Sequence, residues 1–125
     1  LPLLREDVGE LFAGIAAGSL PNRPLRWSEQ HAACVILAAE GYPGPYRRGD
    51  PITGLETLAG RDDVMVFHAG TAQEAGELVT AGGRVLGVTA LDQGLQTARD
   101  LAYEAAAKIQ FEGAFPRTDI AAKGL

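Results

Sequence analysis

Apolar side chains in the first segment of the chain recur every three or four residues, which is the spacing of one face of an α-helix. These positions are Leu4, Val8, Leu11, Phe12 and Ile15. The pattern predicts an amphipathic helix that ends at Gly18-Ser19, because the proline-containing connector 21–24 cannot continue it. Such a helix needs another surface against which to bury its apolar stripe.

A different pattern follows the connector, in residues 27–40. Its apolar centre is unbroken, which is typical of a strand buried on both faces, although the alanines leave a helix as the competing interpretation. The single cysteine, Cys34, lies in this run. We therefore expect a buried thiol, and one cysteine excludes a disulfide framework.

Three runs rich in β-branched and apolar residues lie between residues 64 and 91, with glycines at every junction. The runs are 64–71, 77–80 and 84–91. Short runs separated by glycine turns predict an antiparallel meander. At the last turn, Gly82 and Gly83 are expected to take positive φ angles.

The third run is followed by a second helical pattern, for which Asp92 is the predicted N-cap. Its apolar face comprises Leu95, Ala98, Leu101, Ala102, Ala105 and Ile109. The strands are close enough for hairpins and do not alternate with helices. We therefore predict an α+β fold with an antiparallel sheet and a flanking C-terminal helix.

Composition narrows the class of protein. At 125 residues, 46% of them hydrophobic, the chain is expected to form one domain, or one domain with a piece of a neighbour. A net charge of −5, with no basic cluster longer than Arg47-Arg48, disfavours nucleic acids and anionic membranes as partners. The longest apolar stretch, 32–39, is too short to cross a bilayer. We expect a cytoplasmic location.

The main candidate for a binding site is the glycine turn before the third run. The turn exposes backbone N–H groups beside the Arg84 guanidinium, an arrangement that can hold an anion, although a solvated side chain is an equal alternative. His68 lacks a second ligand at metal-binding spacing, so a structural histidine is favoured. There is no P-loop and no convincing acid–base pair. These observations alone leave the function open.

Five motifs in the chain occur together, in one order, in a known protein family. The motifs are Leu1-Pro-Leu-Leu with Asp7 and Leu11, Ala38-Ala39-x-Gly41-Tyr42-Pro43-Gly44-x-Tyr46-x-x-Gly49, Val66-Phe67-His68-Ala69-Gly70-Thr71, Thr80-x-Gly82-Gly83-Arg84-Val85-Leu86-x-Val88-Thr89-Ala90 and Arg117-x-Asp119-Ile120. Over essentially all 125 residues they resemble the C-terminal region of the phosphoribosylamine-glycine ligases, also called glycinamide ribonucleotide synthetases, of purine biosynthesis.

The resemblance implies that residues 1–24 are the terminal helix of an ATP-grasp domain with its linker. Residues 25–125 would be the C-terminal domain of the ligase, with a sheet of barrel-sandwich-hybrid type. The full enzyme joins glycine to 5-phosphoribosylamine with ATP and magnesium or manganese, through an acyl phosphate. The absence of an initiator methionine before Leu1 suggests a piece of a longer protein. The upstream ATP-grasp domain would carry most nucleotide and metal ligands, so the chain alone is expected to be inactive.

Within the chain, the resemblance implies a contact with the phosphate of phosphoribosylamine. The candidate substrate-binding residues are Arg84, Gly82, Gly83, Tyr42, Pro43 and Gly44. No residue is assigned to catalysis or to a metal. Many relatives carry lysine after the His-Ala-Gly-Thr motif, where this chain has Ala72, so a contact there is lost or supplied elsewhere. The alternative function is a non-catalytic packing or interface module of an ATP-grasp protein.

Overall fold

The chain folds into two α-helices, six β-strands and one short 3-10 helix, in a computed structural model that describes all 125 residues. The helices are α1 (Val8–Ala17) and α2 (Leu95–Ala106), and the 3-10 helix is Leu55–Leu58. The strands are β1 (His31–Ala38), β2 (Val64–His68), β3 (Thr71–Glu74), β4 (Glu77–Thr80), β5 (Arg84–Asp92) and β6 (Phe115–Pro116). The predicted α+β class is confirmed.

Helix α1 forms where the apolar period predicted it, and both of its ends are capped. The Asp7 carboxylate accepts a hydrogen bond from the Glu10 amide at 2.9 Å, and Gly18 ends the helix at a φ of 65°. No residue of the helix is buried. The apolar stripe is therefore exposed, with Phe12 63% and Ile15 58% accessible.

The main sheet has the order β2-β5-β1-β6, and every neighbouring pair is antiparallel. Strands β3 and β4 form a separate hairpin. The predicted meander is thus wrong, because β5 pairs with β2 and β1 rather than with β4. The chain turns at Ala69 and Gly70, whose amides both donate to the Val85 carbonyl at 3.1 Å, and this turn separates β3 from β2.

Strand β1 is buried on one face, which corrects the prediction of burial on both. Val35 and Leu37 lie in the core, whereas Cys34 and Ile36, which precede them in turn along the strand, are exposed. Side chains alternate along a strand, and α2 packs on the core side of the sheet. The expected buried thiol is therefore wrong as well.

Helix α2 covers the sheet with alanines. Ala98, Ala102 and Ala105 are fully buried, and their small side chains allow the helix to approach the strands closely. The helix begins after Gly94, so Asp92 is not the N-cap. Asp92 pairs with His31 in the ladder and is the last residue of β5.

Asp92 nevertheless contacts the first turn of α2. Its carboxylate accepts a hydrogen bond from the Thr97 hydroxyl and another from the Gly94 amide. The Thr97 hydrogen bond, with the Gly94 bond as the second contribution, holds the pKa of Asp92 below its ordinary value. This carboxylate therefore ties the end of the strand to the start of the helix.

Candidate functional site

Arg84 begins β5 at an irregularity in the sheet. Leu37 pairs with Leu86, but the next residue, Ala38, pairs with Arg84, so Val85 is an extra residue in the ladder. Such a bulge bends the strand and redirects side chains beside it. The side chain of Arg84 is exposed, while Val85 and Leu86 after it are fully buried. The bulge therefore lies beside Arg84, whose guanidinium is exposed at the edge of the sheet.

The turn before Arg84 is held against the turn before β3 by direct backbone contact. The Gly70 carbonyl accepts hydrogen bonds from the Ala81 amide at 2.7 Å and the Gly82 amide at 3.1 Å. A Cβ atom on Gly70 would lie 2.6 Å from the Gly82 Cα. Neither Gly82 nor Gly83 has a positive φ, so that prediction is wrong. At Gly70 and Gly82, glycine is needed for close approach instead.

Gly83 makes room for an aromatic ring. A Cβ atom on Gly83 would lie 2.2 Å from Cδ2 of Tyr42. The Gly83 carbonyl accepts a hydrogen bond from the Ala39 amide at 2.8 Å, which fixes the turn against the end of β1. Tyr42 precedes Pro43 through a cis peptide bond, and its ring is tilted by 59° to that of Tyr46 at a centroid distance of 6.5 Å. The Tyr42 loop therefore packs directly on the glycine turn.

Two neighbouring clefts meet at Arg84. The first cleft, of about 490 Å³, is lined by Ile36, Tyr42, Ala69, Gly70, Gly83, Arg84 and Leu86. The second cleft, of about 420 Å³, is lined by Ile36, Ala38, Tyr42, Pro43, Arg84, Phe115 and Arg117. Ile36, Tyr42 and Arg84 belong to both. We treat the two clefts together as the candidate site.

The candidate residues from the sequence are only partly brought together at these clefts. Tyr42, Pro43, Gly83 and Arg84 line them, whereas Gly44 and Gly82 do not. The Gly82 amide, expected to face an anion, already donates to Gly70. Its position in the structure is therefore that of a support for the turn.

Sequence reasoning missed Gly70 and Arg117 as lining residues. Gly70 carries a local indication, since it is the glycine of the His-Ala-Gly-Thr motif. Arg117 likewise belongs to a motif, Arg117-x-Asp119-Ile120, but the motif does not show that the return of the chain through β6, which pairs with the end of β1, brings Arg117 to the cleft of Arg84. The proximity of Arg117 to Arg84 is visible only in the tertiary structure.

The two arginines of the second cleft differ in their partners. The Arg84 guanidinium takes part in none of the ion pairs within the chain. Arg117 donates to Asp119 through Nε at 2.9 Å and through Nη2 at 2.5 Å. Hydrogen bonding from Arg117 holds the pKa of Asp119 below its ordinary value of 3.8. The cleft thus presents one free guanidinium and one that is oriented by a carboxylate.

His68 lies outside both clefts. It is exposed at the end of β2, and its Nδ1 atom is 3.1 Å from the Thr71 hydroxyl oxygen. This contact spans the turn between β2 and β3, which fits the structural interpretation. No group of three histidine, cysteine or acidic side chains in the chain could hold a metal ion. Neither α-helix has the length and apolar character required to cross a bilayer.

The chain is similar in sequence to known proteins. Residues 32–123 match the family model described as phosphoribosylglycinamide synthetase, C domain. The chain is 48% identical over 126 residues to a phosphoribosylamine–glycine ligase of Streptomyces coelicolor, an alignment covering 98% of the chain and 30% of that protein. It is 45% identical over 122 residues to the ligase of Caldanaerobacter subterraneus, covering 98% of the chain and 28% of that protein.

A solved structure gives the same result. The crystal structure of phosphoribosylamine–glycine ligase from Thermotoga maritima matches with a TM-score of 0.73 at 35% identity, over 87% of this chain and 26% of that one. The chain spans less than a third of the length of the curated relatives described above. On the family match over most of its residues, the chain belongs to the phosphoribosylglycinamide synthetase C-domain family.

Proposed function

We propose that this chain is the C-terminal domain of a phosphoribosylamine-glycine ligase and forms the phosphoribosylamine side of its active site. The observation that carries the proposal is the 45–48% identity to such ligases over 98% of the chain. The complete enzyme would be a carbon–nitrogen ligase of purine biosynthesis. The assembled activity would join glycine to 5-phosphoribosylamine in the cytoplasm.

Arg84 is the residue in this chain to which we assign the substrate phosphate. Its guanidinium is exposed, lines both clefts and has no carboxylate partner, so it can donate two parallel hydrogen bonds to phosphate oxygens. Gly83 keeps the turn close to the Tyr42 ring, which walls the same space. Together these residues would orient the sugar phosphate.

Residues 1–24 are assigned to the end of an ATP-grasp domain and its linker, and residues 25–125 to the C-terminal domain, with a sheet of barrel-sandwich-hybrid type. The absence of any buried residue in α1 supports a neighbour that covers the helix. Backbone hydrogen bonds link Leu3 with Ser28 and Arg5 with Arg26, so the residues before α1 are attached to the start of the segment 25–125. The expected partner is the ATP-grasp domain of the same protein.

The histidine, cysteine and acidic side chains of this chain form no group of three or more that could hold a metal ion by themselves. We therefore assign the ATP and magnesium or manganese ligands to residues outside this chain. In such a ligase ATP supplies the activation of the glycine carboxylate. The role of the present residues would be to bind the amine substrate through its phosphate, orient it and keep water from the reacting groups.

The test is an Arg84→Ala substitution in the full-length ligase. Loss of a charged hydrogen-bond donor should weaken the use of phosphoribosylamine by about 1.5–3 kcal/mol, on the order of 10- to 150-fold in kcat/KM. Arg84→Lys keeps the charge but loses the paired donors, so an intermediate loss is expected. Steady-state kinetics with each of the three substrates varied in turn would measure this.

Arg48→Ala is the matched control, since Arg48 is exposed, donates to the Tyr46 hydroxyl and lines neither cleft. Its kinetics should match the unsubstituted enzyme. Unchanged phosphoribosylamine kinetics in Arg84→Ala would remove Arg84 from the substrate site. An intact ligase without activity on glycine and phosphoribosylamine would remove the proposed function itself.

A second candidate is the packing or interface module. It is favoured by the exposed apolar residues Phe12, Ile15 and Leu20, which are 53% or more accessible. In that case, substitution of Arg84 would leave substrate kinetics unchanged, and changes in the 41–44 loop would lower stability rather than affinity. The same kinetic measurements, combined with thermal unfolding, separate the two candidates.

A further inference from the structure

We propose that Arg117 is a second guanidinium of the same anion site, and that Tyr103 and Arg99 of α2 position it. The inference rests on the proposed function, because it names a further contact for the phosphate of the substrate. It comes from the arrangement of residues 117–120 beside the second cleft. The ligand class is a sugar carrying a phosphate monoester.

Arg117 reaches the cleft from a part of the chain distant in sequence from Arg84. Both side chains line the second cleft, together with the Tyr42-Pro43 pair and Phe115. A phosphate monoester carries close to two negative charges at neutral pH and offers three acceptor oxygens. Two guanidiniums match that charge and that number of acceptors better than one.

Asp119 orients Arg117 without consuming all of its donors. The carboxylate takes one hydrogen bond from Nε and one from Nη2. A guanidinium has five N–H donors, so Nη1 and the second hydrogen of Nη2 are still available to an anion. The Arg117 side chain is 73% exposed, so those donors are accessible. Pairing with Asp119 restricts the side chain before ligand binding, which lowers the entropy lost when it grips a phosphate.

Helix α2 holds the backbone that carries this pair. The Tyr103 hydroxyl donates to the Arg117 carbonyl at 2.6 Å and accepts from the Ile120 amide at 3.2 Å. Arg99 donates through Nε to the Ile120 carbonyl at 2.8 Å and through Nη2 to the Thr118 carbonyl at 3.3 Å. The Arg99 guanidinium also lies 5.4 Å from the centre of the Tyr103 ring.

This arrangement is more than a surface ion pair, because it fixes backbone as well as side chains. Four hydrogen bonds join two residues of one helix to the segment 117–120. The helix itself is anchored to the sheet by fully buried alanines. The position of Arg117 is therefore set relative to Arg84 through the core, and Tyr103 is a positioning residue for Arg117.

The experiment measures the binding of ribose 5-phosphate to the full-length ligase by isothermal titration calorimetry, with ribose as the probe that lacks phosphate. Arg117→Ala should weaken ribose 5-phosphate binding by about tenfold or more, and Arg117→Lys by less. Binding of ATP should not change. Since Arg117 is exposed, both variants should fold, and thermal unfolding checks this.

Arg61→Ala is the matched control. Arg61 forms the same fork with a carboxylate two residues later, donating to Asp63 through Nε at 2.8 Å and Nη2 at 2.7 Å. It lines neither of the two clefts. Its removal should leave ribose 5-phosphate affinity unchanged, and an equal loss in both variants would overturn the proposal.

Tyr103→Phe tests the positioning role, because it removes only the hydroxyl. We expect about a threefold or larger loss of ribose 5-phosphate affinity and a higher KM for phosphoribosylamine with kcat retained. In a double-mutant cycle, Tyr103→Phe should have no further effect once Arg117 is alanine, since residues that act through one another are not additive. Additive losses would overturn the positioning role.

The outcomes separate this inference from the proposed function. If Arg84→Ala weakens ribose 5-phosphate binding and Arg117→Ala does not, the inference is wrong and the proposed function stands. If both substitutions weaken binding but the enzyme does not join glycine to phosphoribosylamine, the two-arginine site stands and the proposed reaction is wrong. Unchanged affinity in both variants would overturn the site as a whole.

Discussion

Single glycines determine how close two parts of the backbone come beside Arg84. Gly70 has no positive φ, yet a Cβ atom there would lie within 2.6–2.8 Å of Gly82 and the Arg84 carbonyl oxygen. Contacts this short with backbone cannot be relieved by rotating a side chain. The turn before Arg84 can therefore pack in this way only because Gly70 has no side chain.

Gly70→Ala should lower the free energy of unfolding by about 1–3 kcal/mol, as expected when an extra methyl is forced into a packed region. Urea denaturation of the purified chain measures this. Gly14→Ala is the control, since a Cβ atom on Gly14 would meet no atom closer than 3.6 Å. That substitution should be neutral or should stabilise by up to about 1 kcal/mol, because alanine favours helix. A neutral Gly70→Ala would contradict the close contact.

The local sequence predicted Arg84 as a candidate, since a guanidinium beside two glycines is visible in the sequence itself. It could not predict what the glycines do there. The expectation of positive φ follows from the conformational freedom of glycine. In the structure, the small size of glycine matters instead, because Gly82 lies against Gly70 and Gly83 lies against the Tyr42 ring. Whether a glycine is needed for its φ angle or for its small size depends on the residue it contacts, and that residue lies in another part of the chain.

Helices and strands were predictable to different extents. The apolar period of α1 and the alanine face of α2 depend on residues three or four positions apart, so both helices were found in the sequence. Strand pairing depends on distant segments instead. Short glycine-separated runs favour hairpins between neighbours, whereas β5 pairs with β2 and with β1. For the same reason, the burial of β1 on one face depends on α2, which is distant in sequence and packs on that face.

The turn between β3 and β4 holds Ala75 in a backbone conformation that alanine rarely adopts. Ala75 has a φ of 49° and Gly76 a φ of 87°, so the two-residue turn has positive φ at both central positions. Ala75→Asn should stabilise the chain by on the order of 1 kcal/mol or less, because asparagine tolerates this conformation better than alanine. Thermal unfolding would detect it. Gly76→Ala should have the opposite sign, and destabilisation by Ala75→Asn would contradict the turn geometry.

A charged cluster of Glu6, Arg23 and Arg26 joins the residues before α1 to the connector after it. Glu6 accepts hydrogen bonds from Arg23 at 2.7 and 3.1 Å and from the Arg26 amide at 3.0 Å. The hydrogen bonds from Arg23, and then those from Arg26, hold the pKa of Glu6 well below its ordinary value of 4.5. The folded arrangement therefore favours the ionised carboxylate.

A lowered pKa means that this contribution to stability is present above the unfolded pKa and is lost as the pH falls through the folded value. We expect the contribution of this cluster to stability to decline as the pH falls from 4.5 toward the lower folded pKa, where the Glu6 carboxylate itself becomes protonated and releases the Arg26 amide. The Arg26 amide resonance in an NMR titration would report it. Glu6→Gln should remove that dependence, while Glu10→Gln, at a carboxylate without a side-chain partner, should retain it. An Arg26 resonance that does not respond to acid would contradict the cluster.

The exposed thiol on the open face of the sheet has a practical consequence. Because Cys34 is the one cysteine of the chain and is accessible, a maleimide dye or nitroxide would attach at a single defined position. Its neighbour across the ladder is Thr89, and Gly87 lies under its sulfur, so the probe would stand on a rigid support. A change in its emission or mobility would then report when another part of a larger enzyme comes to rest on that side of the strands.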